Sequence, residues 1–139
     1  MKREKQLQEI YRQLASICAE VKLENAVGVY AINIYFENLI RDLLNSIFAC
    51  QFENGNYRRR NQKGYDLIEN QQRILVQVSS ENAPEKIQDS LYKLNSGITE
   101  RWRFCFFLIG EKGDKLRKRK YCIPENVEFS PKKDIWDME

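Results

Sequence analysis

The chain has 139 residues, 42% hydrophobic and 31% charged, with a formal net charge of +3 and no histidine. Such a composition suits one globular domain and excludes both a disordered chain and a strongly basic binder. The lack of histidine removes the commonest general base and metal ligand, so Ser-His, Cys-His and zinc-hydrolase chemistries drop out.

No apolar run approaches the roughly 20 residues of a membrane span. Met1 to Gln6 lacks the apolar segment of a signal peptide, so a cytoplasmic protein with no membrane partner is expected. Cys18, Cys50, Cys105 and Cys122 form no C-x-x-C, and their apolar neighbours predict buried thiols rather than bridges or zinc ligands.

The first predicted element is a helix from Arg3 to about Leu23, with Leu7, Ile10, Leu14, Ile17, Cys18 and Val21 at helical spacing. Leu7, Leu14 and Val21 also follow a heptad, with Ile10 and Ile17 between them. That face serves either the protein's own sheet or the seam of a homodimer. Asn25 to Tyr30 breaks the pattern at Gly28. Asn33 then caps a second helix reaching about Ala49, apolar through Phe36, Leu39, Ile40, Leu43, Leu44, Ile47 and Phe48. Its polar face carries Glu37, Asn38, Arg41, Asp42 and Asn45.

A short strand is expected at Gln51 to Glu53, followed by two hairpin strands, Gly64 to Ile68 and Arg73 to Ser80. Ala83-Pro84 opens a third helix to about Ser96, with Gly97 as its stop. Arg103 to Ile109 is almost continuously apolar, the pattern of a strand buried on both faces. Short strands are expected at Tyr121 to Ile123 and Val127 to Phe129. The order predicts an α/β fold with a mixed sheet flanked by helices. The expected organisation is one domain over 1–139: an N-terminal helix (1–24), a core (31–130) and a C-terminal edge (131–139).

Function is expected on the hairpin. With the turn centred on Asn70 and Gln71, Asp66 lies opposite Leu75 and diagonal to Gln77, while Leu75, Gln77 and Ser79 share a face. An acid and an amide side by side offer two oxygen donors of the kind Mg²⁺ takes. A plain structural reading also stands: Asp66 begins a strand, Gln77 satisfies itself on Asp66 or Ser79, and Glu37 pairs with Arg41. Charge is uneven. Arg58, Arg59, Arg60 and Lys63 precede the hairpin, and Lys112, Lys115, Arg117, Lys118, Arg119 and Lys120 crowd a late loop. These runs are either solvated faces or phosphate-binding clusters.

The element order resembles the αβββαβ core of the restriction-endonuclease-like, or PD-(D/E)XK, superfamily, whose motif is an Asp followed by Glu-x-Lys on the next strand. More closely, the chain resembles the SMEK domain, a small bacterial module of that fold found in conflict and defence proteins. The similar segments are Ala31-Ile32-Asn33 with Glu37, Asp42-Leu43-Leu44-Asn45, Tyr65-Asp66-Leu67, Val76-Gln77-Val78-Ser79-Ser80, and Phe129-Ser130 through Asp134-Ile135-Trp136-Asp137. The resemblance implies a metal-dependent phosphodiesterase with catalytic Glu37, Asp66, Gln77 and Ser79. Asp66, Gln77 and the Val78 carbonyl would hold Mg²⁺ or Mn²⁺, and Arg58, Arg59, Arg60, Lys63, Lys118, Arg119 and Lys120 would bind nucleic acid, DNA first. Gln77 stands where many active nucleases have Glu, and Ser79 where they have Lys; Lys86, Lys93 or Arg73 are the substitutes at hand. The alternative is a catalytically inactive nuclease fold used for nucleic-acid binding or protein assembly.

Overall fold

Two neighbouring strands carry apolar side chains on both sides, so the sheet has two greasy faces and a helix must cover each. The computed structural model describes residues 2–26, 33–55 and 64–138. Its elements are α1 (Lys2–Ala26), α2 (Asn33–Phe48), β1 (Glu53–Asn54), β2 (Leu67–Glu69), β3 (Ile74–Ser79) and α3 (Pro84–Gly97). They continue with β4 (Trp102–Leu108), α4 (Asp114–Arg117), β5 (Val127–Glu128), α5 (Pro131–Asp134) and β6 (Ile135–Trp136). β1, β2 and β3 pair antiparallel, β3 and β4 pair in parallel, and β5 and β6 both add in parallel to β4. The protein is an α/β domain with a mixed six-stranded sheet, flanking helices and an N-terminal helix. The stretch from α2 to β4 has the expected αβββαβ order.

Side-chain alternation decides which helix covers which face. Val76, Val78, Cys105 and Phe107 pack with Leu67 and Phe52 under Ile40 and Leu44 of α2. Leu75, Phe104, Phe106 and Leu108 pack under Ile87, Leu91 and Leu94 of α3, together with Leu116, Val127, Phe129 and Ile135. The last turn of α2 does not follow the expected apolar face inward: Ile47 and Phe48 are exposed, with the Phe48 ring 5.9 Å from that of Trp136. On α1, Leu7 is exposed and Ile10 half-buried; the side chains of Leu14, Ile17 and Val21 lie outside the described residues. Among the described residues no helix is long and apolar enough to cross a membrane.

The hairpin register differs from expectation. Leu67 faces Val76 and Ile68 faces Leu75, so Leu75 lies opposite Ile68 rather than Asp66; Asp66, just ahead of the paired residues, donates its N–H to the Val76 carbonyl and accepts the Val78 N–H on Oδ2. The loop spans residues 70–73 because Gln72 N–H donates to the Glu69 carboxylate and Arg73 turns the chain back with φ +56°. The slip is two residues, an even number, so every side chain keeps its predicted face.

Two of the three expected short strands are corrected for one reason, while the third, at Val127 to Phe129, forms β5 over Val127–Glu128. At Gln51 to Glu53 only Glu53 joins β1, because the Asn45 amide takes both backbone groups of Phe52: Phe52 N–H donates to Oδ1 (2.6 Å) and Nδ2 donates to the Phe52 carbonyl (3.2 Å). Tyr121 to Ile123 forms no strand, because Gln88 of α3 grips Cys122 in the same two-point way at 2.9 Å each. Gly97 is the last residue of α3 rather than a left-handed stop; Ile98 N–H closes the helix onto the Leu94 carbonyl.

Gly64, just ahead of the hairpin, lies close against α3. Its φ is +81°, and a Cβ there would lie 2.6 Å from the Ser90 carbonyl oxygen. Gly64→Ala should therefore cost about 1–2 kcal/mol from the backbone alone, and more once the clash is added. Gly97→Ala meets nothing within 4 Å and gains helix propensity, so it should be neutral or stabilising. Urea midpoints check the pair; equal midpoints would contradict the close approach.

Candidate functional site

The hairpin and α3 bring Gln77, Lys86 and Lys93 around one small cavity, with Asp66 bonded to the next residue of β3, Val78. Asp66 is 2% exposed at the start of β2, its N–H donating to the Val76 carbonyl and its carbonyl accepting from Gly55 N–H. Its Oδ2 accepts the Val78 N–H at 2.8 Å, which sets the carboxylate across the end of the hairpin. Gln77 is 7% exposed and shares the strand face of Leu75, toward α3. There it lines a cavity of about 20 Å³, room for a water or a small ion, with Gly64, Tyr65, Lys86, Asp89, Ser90 and Lys93. Lys86 and Lys93, two of the residues expected to replace the motif lysine, thus reach the cavity that Gln77 faces. Lys93 Nζ also lies 3.1 Å from Asp89 Oδ2.

The third substitute does not reach it. Arg73 sits at the turn end of β3 and pairs with Glu100 at 3.2 Å. Ser79 Oγ accepts the Glu81 N–H at 3.0 Å, ending the strand in a side-chain turn. Glu37 is buried on the side of α2 that carries Ile40 and Leu44, and this helix covers the Val76 and Val78 face, away from α3. Neighbouring Arg41 bonds Asp42 and Asn38.

Among the described residues, no three Cys, Asp or Glu side chains gather as a metal-binding group. The donors at hand are all oxygens: the Asp66 carboxylate, the Gln77 amide and the Val78 carbonyl. That set suits Mg²⁺ or Mn²⁺, which keep several waters and need few protein ligands, but it brings a single negative charge.

The basic residues divide. Arg58, Arg59, Arg60 and Lys63 lie outside the described residues. Lys118, Arg119 and Lys120 are exposed just beyond α4. Arg117, in the same run, is spent internally: it donates to the Ile135 carbonyl (3.0 Å) and to Asp114 (3.0 Å) and Asp137 (2.9 Å).

Two features have no counterpart in the sequence pattern. A cleft of about 400 Å³ opens beside the Gln77 cavity, lined by Tyr65, Ile68, Leu75 and Trp102 with the turn after α3. Its wall comes from four separate segments, so no local pattern announces it. Burial pushes the Tyr65 hydroxyl above its usual pKa, keeping it protonated and able to donate. The second is a lock on the last forty residues. Buried Asp134 accepts from Arg103 Nε (2.8 Å) and Nη2 (2.6 Å) and, through its other oxygen, from Ser130 N–H (2.8 Å). The Asp134 hydrogen bond also raises the Arg103 pKa.

This geometry defines a mixed-sheet α/β domain with a polar constellation at one hairpin end. Residues 9–139 match the family described as the SMEK domain, and the chain belongs to that family. No curated protein and no solved structure matches it.

Cys105 sits against the Asp134 lock, its Sγ 3.9 Å from Oδ1. Desolvation first, then the neighbouring carboxylate, push its thiol from 9.0 to about 12. A raised folded-state pKa favours the neutral thiol, so its contribution to stability is whole below pH 9 and fades as pH rises toward about 12. Cys122 is exposed and Cys50 half-buried, against the expectation of buried thiols, so at pH 8 a thiol reagent should label Cys122 readily and Cys105 only on unfolding, as mass spectrometry of the labelled peptides would show. Fast labelling of Cys105 in the folded protein would contradict its burial.

Proposed function

We propose that this domain is a metal-dependent nucleic-acid phosphodiesterase of the restriction-endonuclease-like superfamily, serving a bacterial defence system. One observation carries the reading: the Asp66 carboxylate accepts the N–H of Val78, the residue after Gln77, and Lys86 and Lys93 line the cavity that Gln77 faces. An Asp, an amide oxygen, a carbonyl and a lysine reproduce the donor types of the Asp…Glu-x-Lys motif. The lysine is drawn from the following helix instead of the strand.

In this reading Asp66, Gln77 and the Val78 carbonyl hold Mg²⁺ or Mn²⁺. When bound, the ion supplies Lewis acidity and an activated water. Lys86 and Lys93 carry the phosphate's charge, an electrostatic role for which the Ser79 hydroxyl, already bonded to Glu81 N–H, is poorly suited. Gln77 brings no charge, so metal affinity is lower than a Glu would give. Glu37 is the helix acid that the resemblance assigns, and Glu37→Gln tests whether α2 contributes. Lys118, Arg119 and Lys120, with Arg58, Arg59, Arg60 and Lys63, bind the backbone of the nucleic acid.

A second reading, a catalytically silent module for nucleic-acid binding or for assembly through α1, is favoured by a different fact. One oxygen of Asp66 is committed to Val78 N–H, and Asp66 and Gln77 are both almost fully buried. Asp66→Asn separates the two, because it keeps an acceptor for Val78 N–H and removes the charge. Under the enzyme reading it abolishes Mn²⁺ binding in a calorimeter and metal-dependent nicking of plasmid, while nucleic-acid affinity holds or rises. A parent protein that binds no Mn²⁺ and cleaves neither DNA nor RNA sinks the enzyme reading in favour of the module.

Neutralising Lys118, Arg119 and Lys120 together should weaken binding to all sequences alike. It should flatten the salt dependence by about one unit for each phosphate no longer neutralised. Unchanged binding would make this loop a solvated face.

A further inference from the structure

The cleft beside the Gln77 cavity is the least explained feature of the molecule. It spans about 400 Å³, within the size range of small-molecule sites. Its floor is apolar and aromatic, from Tyr65, Ile68 and Trp102, and its rim is polar, with Thr99 and Glu100. Lys93 lines both the cleft and the Gln77 cavity, and so does Tyr65. The two spaces therefore meet along α3. On the sheet side they are marked by Gln77 and Leu75, one strand repeat of about 7 Å apart.

We propose that this cleft is a nucleobase subsite, and that the substrate strand enters it unpaired. The inference rests on the phosphodiester reading of the Gln77 cavity and adds the form of the substrate. A phosphate at Lys86 and Lys93 places the attached nucleoside one step along α3, against Tyr65 and Trp102. Aromatic side chains accept the face of any base, and a rim with donors and an acceptor meets its edge. A base inside a duplex has both faces stacked and its pairing edge occupied, so it enters such a walled cleft only after leaving the helix. Single-stranded nucleic acid is thus the favoured substrate.

The test needs neither cleavage nor metal, so it fails separately from the catalytic reading. In a Trp136→Phe background, Trp102 is the sole tryptophan, since the chain has two. The protein is titrated in EDTA with a short oligothymidylate, with the same strand paired to oligoadenylate, and with an abasic strand of equal length. The single strand should quench Trp102 emission and bind about tenfold more tightly than the abasic strand, the scale of one stacked base. Thr99→Phe, at an exposed rim position, should erase that difference without lowering the abasic affinity. Equal affinity for the thymidylate and abasic strands, preference for the duplex, or unquenched Trp102 emission would each overturn the subsite. Mn²⁺ binding that requires Asp66 would stand regardless.

Discussion

β3 and β4 lie side by side with apolar residues on both faces, and neither face can be left in water. Each large side chain buried there contributes about 1.5–3 kcal/mol, so covering the two faces dominates the energetics. α2 closes over Val76, Val78, Cys105 and Phe107, and α3 over Leu75, Phe104, Phe106 and Leu108. A polar group on either strand then costs free energy unless it finds a partner or a cavity. Gln77 meets that constraint at the margin of the α3 layer, where the cavity opens. The candidate site lies at this margin because it is where two apolar layers stop sealing the pair of strands.

The same constraint governs the chain after β4. Arg103 is on the edge of β4 that β5 and β6 share, and its guanidinium reaches Asp134 at the end of α5. The carboxylate is spent on both sides, on Arg103 and on Ser130 N–H, so the sharp entry into α5 is held at its base. Arg117 repeats the device from α4 to the Ile135 carbonyl and Asp137. A basic run that reads as one surface cluster is therefore part fastener and part free cation.

Legibility in the sequence followed the strength of local pattern. Arg103 to Ile109 was readable because an almost unbroken apolar run has few alternatives to a strand buried on both faces. α2 and α3 were readable from periodicity. The hairpin's existence was plain but its register was not. A four-residue loop with a left-handed Arg73 lacks the Asn-Gly or Asp-Gly signal that marks a turn. β6, two residues long, carries no pattern at all. Asp66 and Gln77 stood out as polar residues amid apolar strands, and Lys86, Asp89 or Ser90, and Lys93 recur at one-turn spacing on a single helix face. The cleft did not stand out, because distant segments build it.

Asn45 and Gln88 each hold an extended segment by presenting a carboxamide where a neighbouring strand would present a peptide group. A carboxamide is a peptide bond's own chemistry on a side chain, and here its oxygen and one of its two N–H donors meet the backbone N–H and C=O of a single residue. It is also electrically neutral. Dissolved electrolyte screens charged contacts but leaves neutral ones nearly untouched. The Phe52 and Cys122 attachments should therefore hold equally in dilute and in concentrated salt, whereas half-exposed pairs such as Arg73 with Glu100 relax as ionic strength rises. The margins of the sheet and its connecting turns thus answer to different solution conditions.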